Sequence, residues 1–313
     1  MMMGKAIRDA YGEALVKYGK DDPRVVVLDA DVSGSTKSAV FGTACPQRFF
    51  NCGISEYAMT GMAAGMAAAG KIPFVNTFAA FLTTIGFLPA KSLLSYSGLN
   101  VKYMGAYGGL SDSYDGPTHH STEDVALMRS LPGMVVMSPC DETQTDWMIR
   151  CAIEHNGPMY IRLSRNPCPI CYQPGEEFTL GKGKILRQGG DVTILSYGVL
   201  LHEAVAAGEL LAREGIDARV VDMFTIKPLD RELVLSCARE TGALVVAEEH
   251  SVIGGLGSAV AQELALARCP AALELVGMQD SFAETGDYAG LFHKYGLDAP
   301  AIAAAAKRAL SQK

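Results

Sequence analysis

Charge is scarce in this 313-residue sequence. Only 19% of the residues are Asp, Glu, Lys or Arg, and 34 acidic residues outnumber 27 basic ones for a net charge of −7. A nucleic-acid or anionic-membrane binder needs a broad basic face, which this balance argues against; a small anionic substrate needs only a few local arginines. No apolar run approaches the length of a membrane span, and residues 1–6 contain no signal-peptide core, so a cytoplasmic protein is expected. No low-complexity tract is present, which leaves little room for disorder. There is no GxxxxGK[ST] loop, no Gly-Asp-Gly with a downstream Asn, and no clustered Asp/Asn set able to hold a magnesium-bound diphosphate. Metal ligation by this chain is therefore not expected. Eight cysteines in a chain without an export signal read as reduced core residues. Cys168-Pro169-Ile170-Cys171 is a lone CxxC among prolines, and without a second pair it makes neither a zinc nor a redox signature.

What is abundant is hydrophobic side chain, 49% of the sequence, enough for two cores. Short β-branched runs (25–29, 73–76, 101–104, 134–137, 159–163, then 192–196, 219–222, 244–247 and 273–276) alternate with amphipathic stretches such as 5–18, 57–69, 142–154, 201–213 and 258–267. That alternation predicts an α/β protein with two doubly wound domains and mainly parallel sheets. The rhythm breaks in a proline- and glycine-rich stretch. The expected division is residues 1–166, a linker over 167–190, and residues 191–313.

In open α/β sheets ligands bind beyond the carboxyl ends of the strands, so the segments following each strand hold the candidates. Glu56 is the only carboxylate of an almost wholly small or apolar helix, which implies a buried, closely packed helix. With Ser55 before it, Glu56 reads as an ordinary helix start, or else as a carboxyl group poised to share a proton. Phe78 and Phe81 are three apart on one helical face and suit either a core or a stacked heteroaromatic ring. Asp115-Gly116-Pro117-Thr118-His119-His120 forms a turn whose acid and histidines suit proton transfer or hydroxyl binding, or a plain surface loop. Arg162 and Arg165 are either a surface pair or an anion grip. Gly254-Gly255-Leu256-Gly257 starts too far after its strand for a dinucleotide loop and reads as close helix packing.

Taken together, these pieces resemble the transketolase family over nearly the whole chain. The resemblance runs through Leu28-Asp29-Ala30-Asp31-Val32-Ser33-Gly34-Ser35-Thr36, Gly53-Ile54-Ser55-Glu56, Thr77-Phe78-Ala79-Ala80-Phe81, Asp115-Gly116-Pro117-Thr118-His119, Ser138-Pro139-Cys140-Asp141-Glu142 and Leu163-Ser164-Arg165. In the second half, Ser196-Tyr197-Gly198 and the stretch Val221 to Leu229 look like the family's C-terminal domain. The resemblance implies a thiamine-diphosphate-enzyme pyrimidine-binding domain followed by a transketolase C-terminal domain. It assigns Glu56 to hydrogen-bond the aminopyrimidine N1′ and so favour the tautomer that accepts the thiazolium proton. Phe78 and Phe81 would hold the pyrimidine ring, with Asp31 at the edge of the cofactor site. Asp115 and His119 would bind substrate hydroxyls, with His119 moving protons, while Arg8, Ser35 and Arg165 would grip a sugar phosphate. Two positions depart from the family pattern: Tyr107 stands where a histidine is usual, and Thr84 where a third aromatic is usual.

A complete transketolase also needs a domain for the diphosphate and Mg2+. With its first expected strand at Val25, the chain leaves no room for one. The resemblance therefore implies a separate N-terminal transketolase subunit that holds most of the diphosphate and metal, in an α2β2 assembly. The implied reaction moves a two-carbon ketol unit from a ketose to an aldose, commonly phosphorylated, as in pentose phosphate metabolism. The alternatives are enzymes that act on a 2-oxo acid, namely a 1-deoxyxylulose-5-phosphate synthase type or a 2-oxo-acid dehydrogenase β subunit, and a non-catalytic subunit of the same fold.

Overall fold

The computed structural model describes residues 2–313. Its strands are β1 (Met3–Ala6), β2 (Val25–Asp29), β3 (Phe49–Asn51), β4 (Ile72–Phe78), β5 (Lys102–Ala106), β6 (Val135–Met137), β7 (Met159–Arg162), β8 (Pro167–Pro169), β9 (Lys184–Arg187), β10 (Val192–Ser196), β11 (Ala218–Asp222), β12 (Thr225–Lys227), β13 (Ala243–Ser251) and β14 (Ala272–Met278). A seven-stranded sheet has the order β12-β6-β7-β5-β4-β2-β3, and a five-stranded sheet the order β14-β13-β10-β11-β9. All neighbours are parallel except the edge strands β12 and β9, which run antiparallel. The α/β class with mainly parallel sheets is thus as the sequence predicts. The reason is visible in the strands: β2, β5, β7, β10 and β11 are buried at every residue, so both faces must be covered by helices.

Helix starts follow side-chain chemistry. Asp141 accepts from the Gln144 amide ahead of the helix Glu142–Glu154, and Asp230 and Asp298 do the same for Arg231–Thr241 and Ala299–Ser311. Gly242, at φ 64°, ends the helix Arg231–Thr241 in the left-handed conformation that glycine adopts without strain.

The halves are not independent bodies joined by a free linker. Within the stretch expected as linker, β8 pairs antiparallel with β1 and β9 edges the second sheet. β12 leaves the second half to pair with β6, aligning Thr225 with Met137, and so completes the first sheet. One apolar cluster contains Leu28, Val75 and Tyr160 from the first half and Leu195, Ile226 and Val246 from the second. Each fully buried side chain of this kind is worth about 1.5–3 kcal/mol.

Arg162 is neither the surface charge nor the anion grip weighed from its sequence position. It is 4% exposed and ion-paired to buried Asp124 at 2.9 Å, with Glu249 of the second half at 3.8 Å. The helix Glu56–Ala68 also departs from expectation. One face is buried through Met59, Thr60, Ala63 and Ala64, but the other is open and carries Tyr57 (54% exposed) and Met62 (45%) beside Ile54 (82%). Its lack of charge therefore reflects an apolar outer face rather than full burial. None of the helices of the described residues is long and apolar enough to cross a membrane.

Candidate active site

Because β2 to β7 run parallel, the segments at their carboxyl ends share one edge of the sheet. Candidate residues arrive there from several different segments. Asp29 at the end of β2 organises the first. Burial raises its pKa, against hydrogen bonds from Ser38 Oγ (2.7 Å), Thr36 Oγ1 (2.8 Å) and the Val32 amide (2.7 Å). These bonds fold the loop so that the Ser35 carbonyl accepts from Arg8 Nη1 at 3.2 Å. Ser35 thus meets Arg8 through its backbone.

Phe78 is the last residue of β4, not the helix residue its spacing suggests; Phe81 follows in the helix Ala79–Thr84. Their rings still lie 6.1 Å apart. Tyr107, after β5, stacks on Phe78 at 4.7 Å with 14° between the planes. The His119 ring stands edge-on to Phe81 at 5.1 Å and to Phe78 at 6.2 Å. Two guanidiniums approach Tyr107, that of Arg8 at 5.2 Å and that of Arg165 at 5.0 Å from the ring centre. The Tyr107 hydroxyl also accepts a hydrogen bond from Arg8 Nη1. Tyr107 has φ +60°, an uncommon backbone state for a bulky residue.

Glu56 lies one residue along from this cluster. It is 4% exposed, and Thr77 Oγ1, adjacent to Phe78, donates to its Oε1 at 3.2 Å. Ser55 occupies the N-cap position without a side-chain bond, so the helix-start reading of Ser55-Glu56 is only half realised. Asp31 stands apart. It is exposed at φ +67° and held by Asn51 Nδ2 at 2.7 Å. Thr84 turns its hydroxyl back to the Ala80 carbonyl and adds nothing to the aromatic group.

The loop bearing Asp115 and His119 is fixed by the second half. The Gly286 amide donates to the Ser113 carbonyl at 3.0 Å, and a Cβ on Gly116 would come within 2.3 Å of Thr285 Oγ1. Asp115 is exposed, while His119 is half-buried and hydrogen-bonded to Thr118 Oγ1 at 3.0 Å. Its neighbour His120 is buried and pulled below the ordinary histidine pKa by desolvation. One residue of this cluster escaped the sequence reading: Asp112. It is fully buried and receives Arg165 Nη1 at 2.7 Å. Burial, then the charge of Asp115, pushes its carboxyl up to about 6, against the pull of Arg165 and His119. Its only sequence signal is an acid three residues before Asp115, which nothing in the spacing distinguishes.

Cavities of about 550 Å³ beside Trp147 and about 300 Å³ beside Phe292 lie elsewhere, and none of Glu56, Phe78, Phe81 or Arg8 lines either. Phe78, Phe81 and His119 are half-buried, and Ile54 and Tyr57, close to Glu56 in sequence, are exposed apolar side chains.

Residues 3–169 match the family model of the transketolase pyrimidine-binding domain, and residues 181–302 match that of the transketolase C-terminal domain. The chain belongs to the transketolase family. It is 44% identical over 307 residues to the 6-deoxy-6-sulfo-D-fructose transketolase subunit SqwH of a Clostridium strain, covering 98% of this chain and 95% of that one. It is 42% identical to a putative transketolase C-terminal section of Methanocaldococcus jannaschii, covering 96% of this chain and 94% of that protein. Against human transketolase the identity is 38%; there the match covers 96% of this chain but 48% of the longer protein. A solved structure titled as a split-gene transketolase, an inactive β4 tetramer, superposes with a TM-score of 0.89 at 46% identity, covering 98% of this chain and 99% of that one. These relatives favour the transketolase reading over the 2-oxo-acid alternatives, and the fold is that of the C-terminal subunit of a split transketolase.

Proposed function

We propose that this chain works as one subunit of a thiamine-diphosphate-dependent transketolase, moving a two-carbon ketol unit from a ketose to an aldose once an N-terminal subunit supplies the diphosphate and Mg2+ site. The observation that carries this reading is the buried Glu56 carboxylate. It is bonded through one oxygen to Thr77 and set beside the aromatic pair Phe78 and Phe81, on a face that a second chain can close. An aminopyrimidine ring fits such a cradle, with the aromatics against its plane and the carboxylate at a ring nitrogen. When bound, thiamine diphosphate supplies the carbon nucleophile that attacks the ketose carbonyl.

The chain's own residues take the remaining roles. Glu56 holds a proton at the pyrimidine nitrogen; its burial keeps water from competing for that hydrogen bond. Asp31 borders the cofactor site. Asp115 and His119 orient sugar hydroxyls, and the His119 ring, placed by its edge contacts with Phe78 and Phe81, moves protons to and from the substrate oxygen. Arg8 and Arg165, both held against Tyr107, with Arg8 also bonded to the Ser35 carbonyl, form the grip for an anionic substrate end. The assembly is an α2β2 heterotetramer in the cytoplasm.

The anion need not be a phosphate. Asp112 already offsets the charge of Arg165, which leaves about one net positive charge, and Tyr107 fills space that a histidine would leave. That suits a monoanion such as a sulfonate as well as a phosphate, and SqwH is a relative named for a sulfosugar. The test is reconstitution. The chain is captured with any Gly-Asp-Gly…Asn-bearing partner, then assayed with thiamine diphosphate, Mg2+ and matched phosphorylated or sulfonated ketoses. Ketol transfer only when both chains are present supports the proposal. Turnover that requires a 2-oxo acid, or a partner without the motif, overturns it.

A further inference from the structure

Where the two halves meet lies a group of side chains that the ketol reaction does not use. Cys171 lies two residues after β8, and its Sγ is 3.3 Å from Nδ1 of His202, in the helix Leu200–Arg213 of the second half. The other ring nitrogen, His202 Nε2, is 2.8 Å from the carbonyl of Cys140, three residues after β6. That bond leaves Nδ1 to face the sulfur. The Cys140 thiol is fully buried and lies beside Cys171. Cys171 itself is partly exposed.

Each sulfur is held by a rigid backbone. The Cys140 amide donates to Gln144 Oε1 at 2.8 Å, and Gln144 Nε2 donates to Asp222 at 2.7 Å. The amides of Cys171 and Tyr172 both donate to Asp141 Oδ2 at 2.8 Å, and the Tyr172 hydroxyl donates to Asp222 at 2.8 Å. The CxxC spacing is therefore misleading. Cys168 turns away to the Lys5 carbonyl, and the partner of Cys171 is distant in sequence.

The electrostatics run the same way. The neighbouring Cys140 thiol, and after it His202, lower the pKa of Cys171 to about 6 against the opposing effect of burial. Burial pulls His202 down, but the Cys171 contacts outweigh it and the net shift is upward. Burial pushes Cys140 well up, so it keeps its proton. A readily ionised thiol, an imidazole in contact with it at 3.3 Å that can carry its proton, and a second, neutral thiol are the set required for two-step thiol oxidation.

We propose that Cys171 is a peroxide-reactive nucleophile and that Cys140 is the thiol that resolves it to a disulfide. In the first step the Cys171 sulfur attacks one oxygen of a hydroperoxide and the O–O bond breaks. A sulfenic acid forms on Cys171, and the departing hydroxide or alkoxide takes the His202 proton. In the second step the Cys140 thiol loses its proton and its sulfur displaces the hydroxyl from Cys171 as water. Two thiols are oxidised by two electrons and one peroxide is reduced. The product ties the end of the first sheet's β6 to the segment that crosses to the second half.

The test uses the full chain. At pH 6 an ordinary thiol is about 0.3% ionised while Cys171 is roughly half ionised; after allowing for its weaker intrinsic nucleophilicity, alkylation of Cys171 is expected to run roughly tenfold faster than that of an ordinary cysteine. The partly exposed Cys52, whose pKa burial raises, is the internal comparison. One equivalent of hydrogen peroxide should give a dithiothreitol-reversible Cys140–Cys171 cross-link, with fragment masses separating Cys171 from Cys168. Cys140→Ser should leave a dimedone-trappable sulfenic acid on Cys171, and His202→Gln should slow the alkylation toward the Cys52 rate. Equal alkylation of Cys52 and Cys171 in the unmodified protein, or a cross-link through Cys168, would overturn the proposal without any variant having to fold.

Discussion

Replacing Arg162 with methionine isolates the largest electrostatic commitment in the molecule. The guanidinium is 2.9 Å from Asp124 and 3.8 Å from Glu249, and all three side chains are at most 4% exposed. It also donates to the Glu249 carbonyl at 2.6 Å, across the junction of the two halves. At an effective dielectric of about 20 these two attractions are about 6 and 4 kcal/mol before desolvation. The variant cannot lose that much, because a stranded carboxylate escapes by binding a proton. Burial already holds Glu249 up at about 7, despite Arg162, so protonating it near neutrality costs little. Neutralising a second buried carboxylate, starting from the unfolded-chain value of about 3.9 for an aspartate, costs about 4 kcal/mol at pH 7 and about 1.5 kcal/mol at pH 5. This ceiling falls within the range of about 3–5 kcal/mol for breaking a buried pair. The sign follows from linkage. In Arg162→Met the stranded buried carboxylates take up protons on folding, so stability is retained at low pH and lost as pH rises. Urea unfolding, followed by the single tryptophan, Trp147, packed against Phe178 and Phe224, should show a loss of about 4 kcal/mol at pH 7 that shrinks by more than half at pH 5. A loss below about 1 kcal/mol, or one equal at both pH values, would refute the reasoning.

Glu56→Gln keeps the shape and the Thr77 bond but cannot hold the proton; turnover of the reconstituted enzyme should fall by about 10²–10⁴-fold with an unchanged melting midpoint. Near-normal turnover would remove Glu56 from its role. Arg165→Gln should raise KM for an anionic ketose by about 10- to 100-fold, the worth of a charge-assisted hydrogen bond, with a much smaller effect on a neutral analogue. Equal effects on both would show that Arg165 does not read charge. Glu249 has its folded pKa raised from 4.5 to about 7, so its contribution is fully present below 4.5 and is lost as pH rises to about 7. The melting midpoint should therefore decline across that window, and Glu249→Gln should flatten the decline in calorimetry.

The central parallel strands were legible because they are runs of β-branched or large apolar residues buried on both faces; β2 and β10 fall where expected to the residue. The strands missed, β1, β3, β8, β9 and β12, are all three or four residues long, and their existence depends on a partner strand rather than on local pattern. At the site, the arginine and aromatic candidates came from motif order, and the structure brings Arg8, Ser35, Phe78, Phe81, Tyr107, His119 and Arg165 into one cluster. Asp112 was hidden because its importance comes from being buried against Arg165, a tertiary fact. Arg162 was misjudged for the same reason. Two arginines three apart read alike until the fold turns one inward to Asp124 and leaves the other at the rim.

The return of β12 to the first sheet bears on where this polypeptide can be divided. A break in the gap between residues 169 and 181, which neither family match covers, would look harmless. It would make the flanking strand of the first sheet a separate molecule. β6 would then present bare amides and carbonyls to solvent, an invitation to mispair with whatever strand came next. Fission of the gene at that gap, in nature or by design, would have to be accompanied by a new edge strand or by obligate reassembly of the fragments.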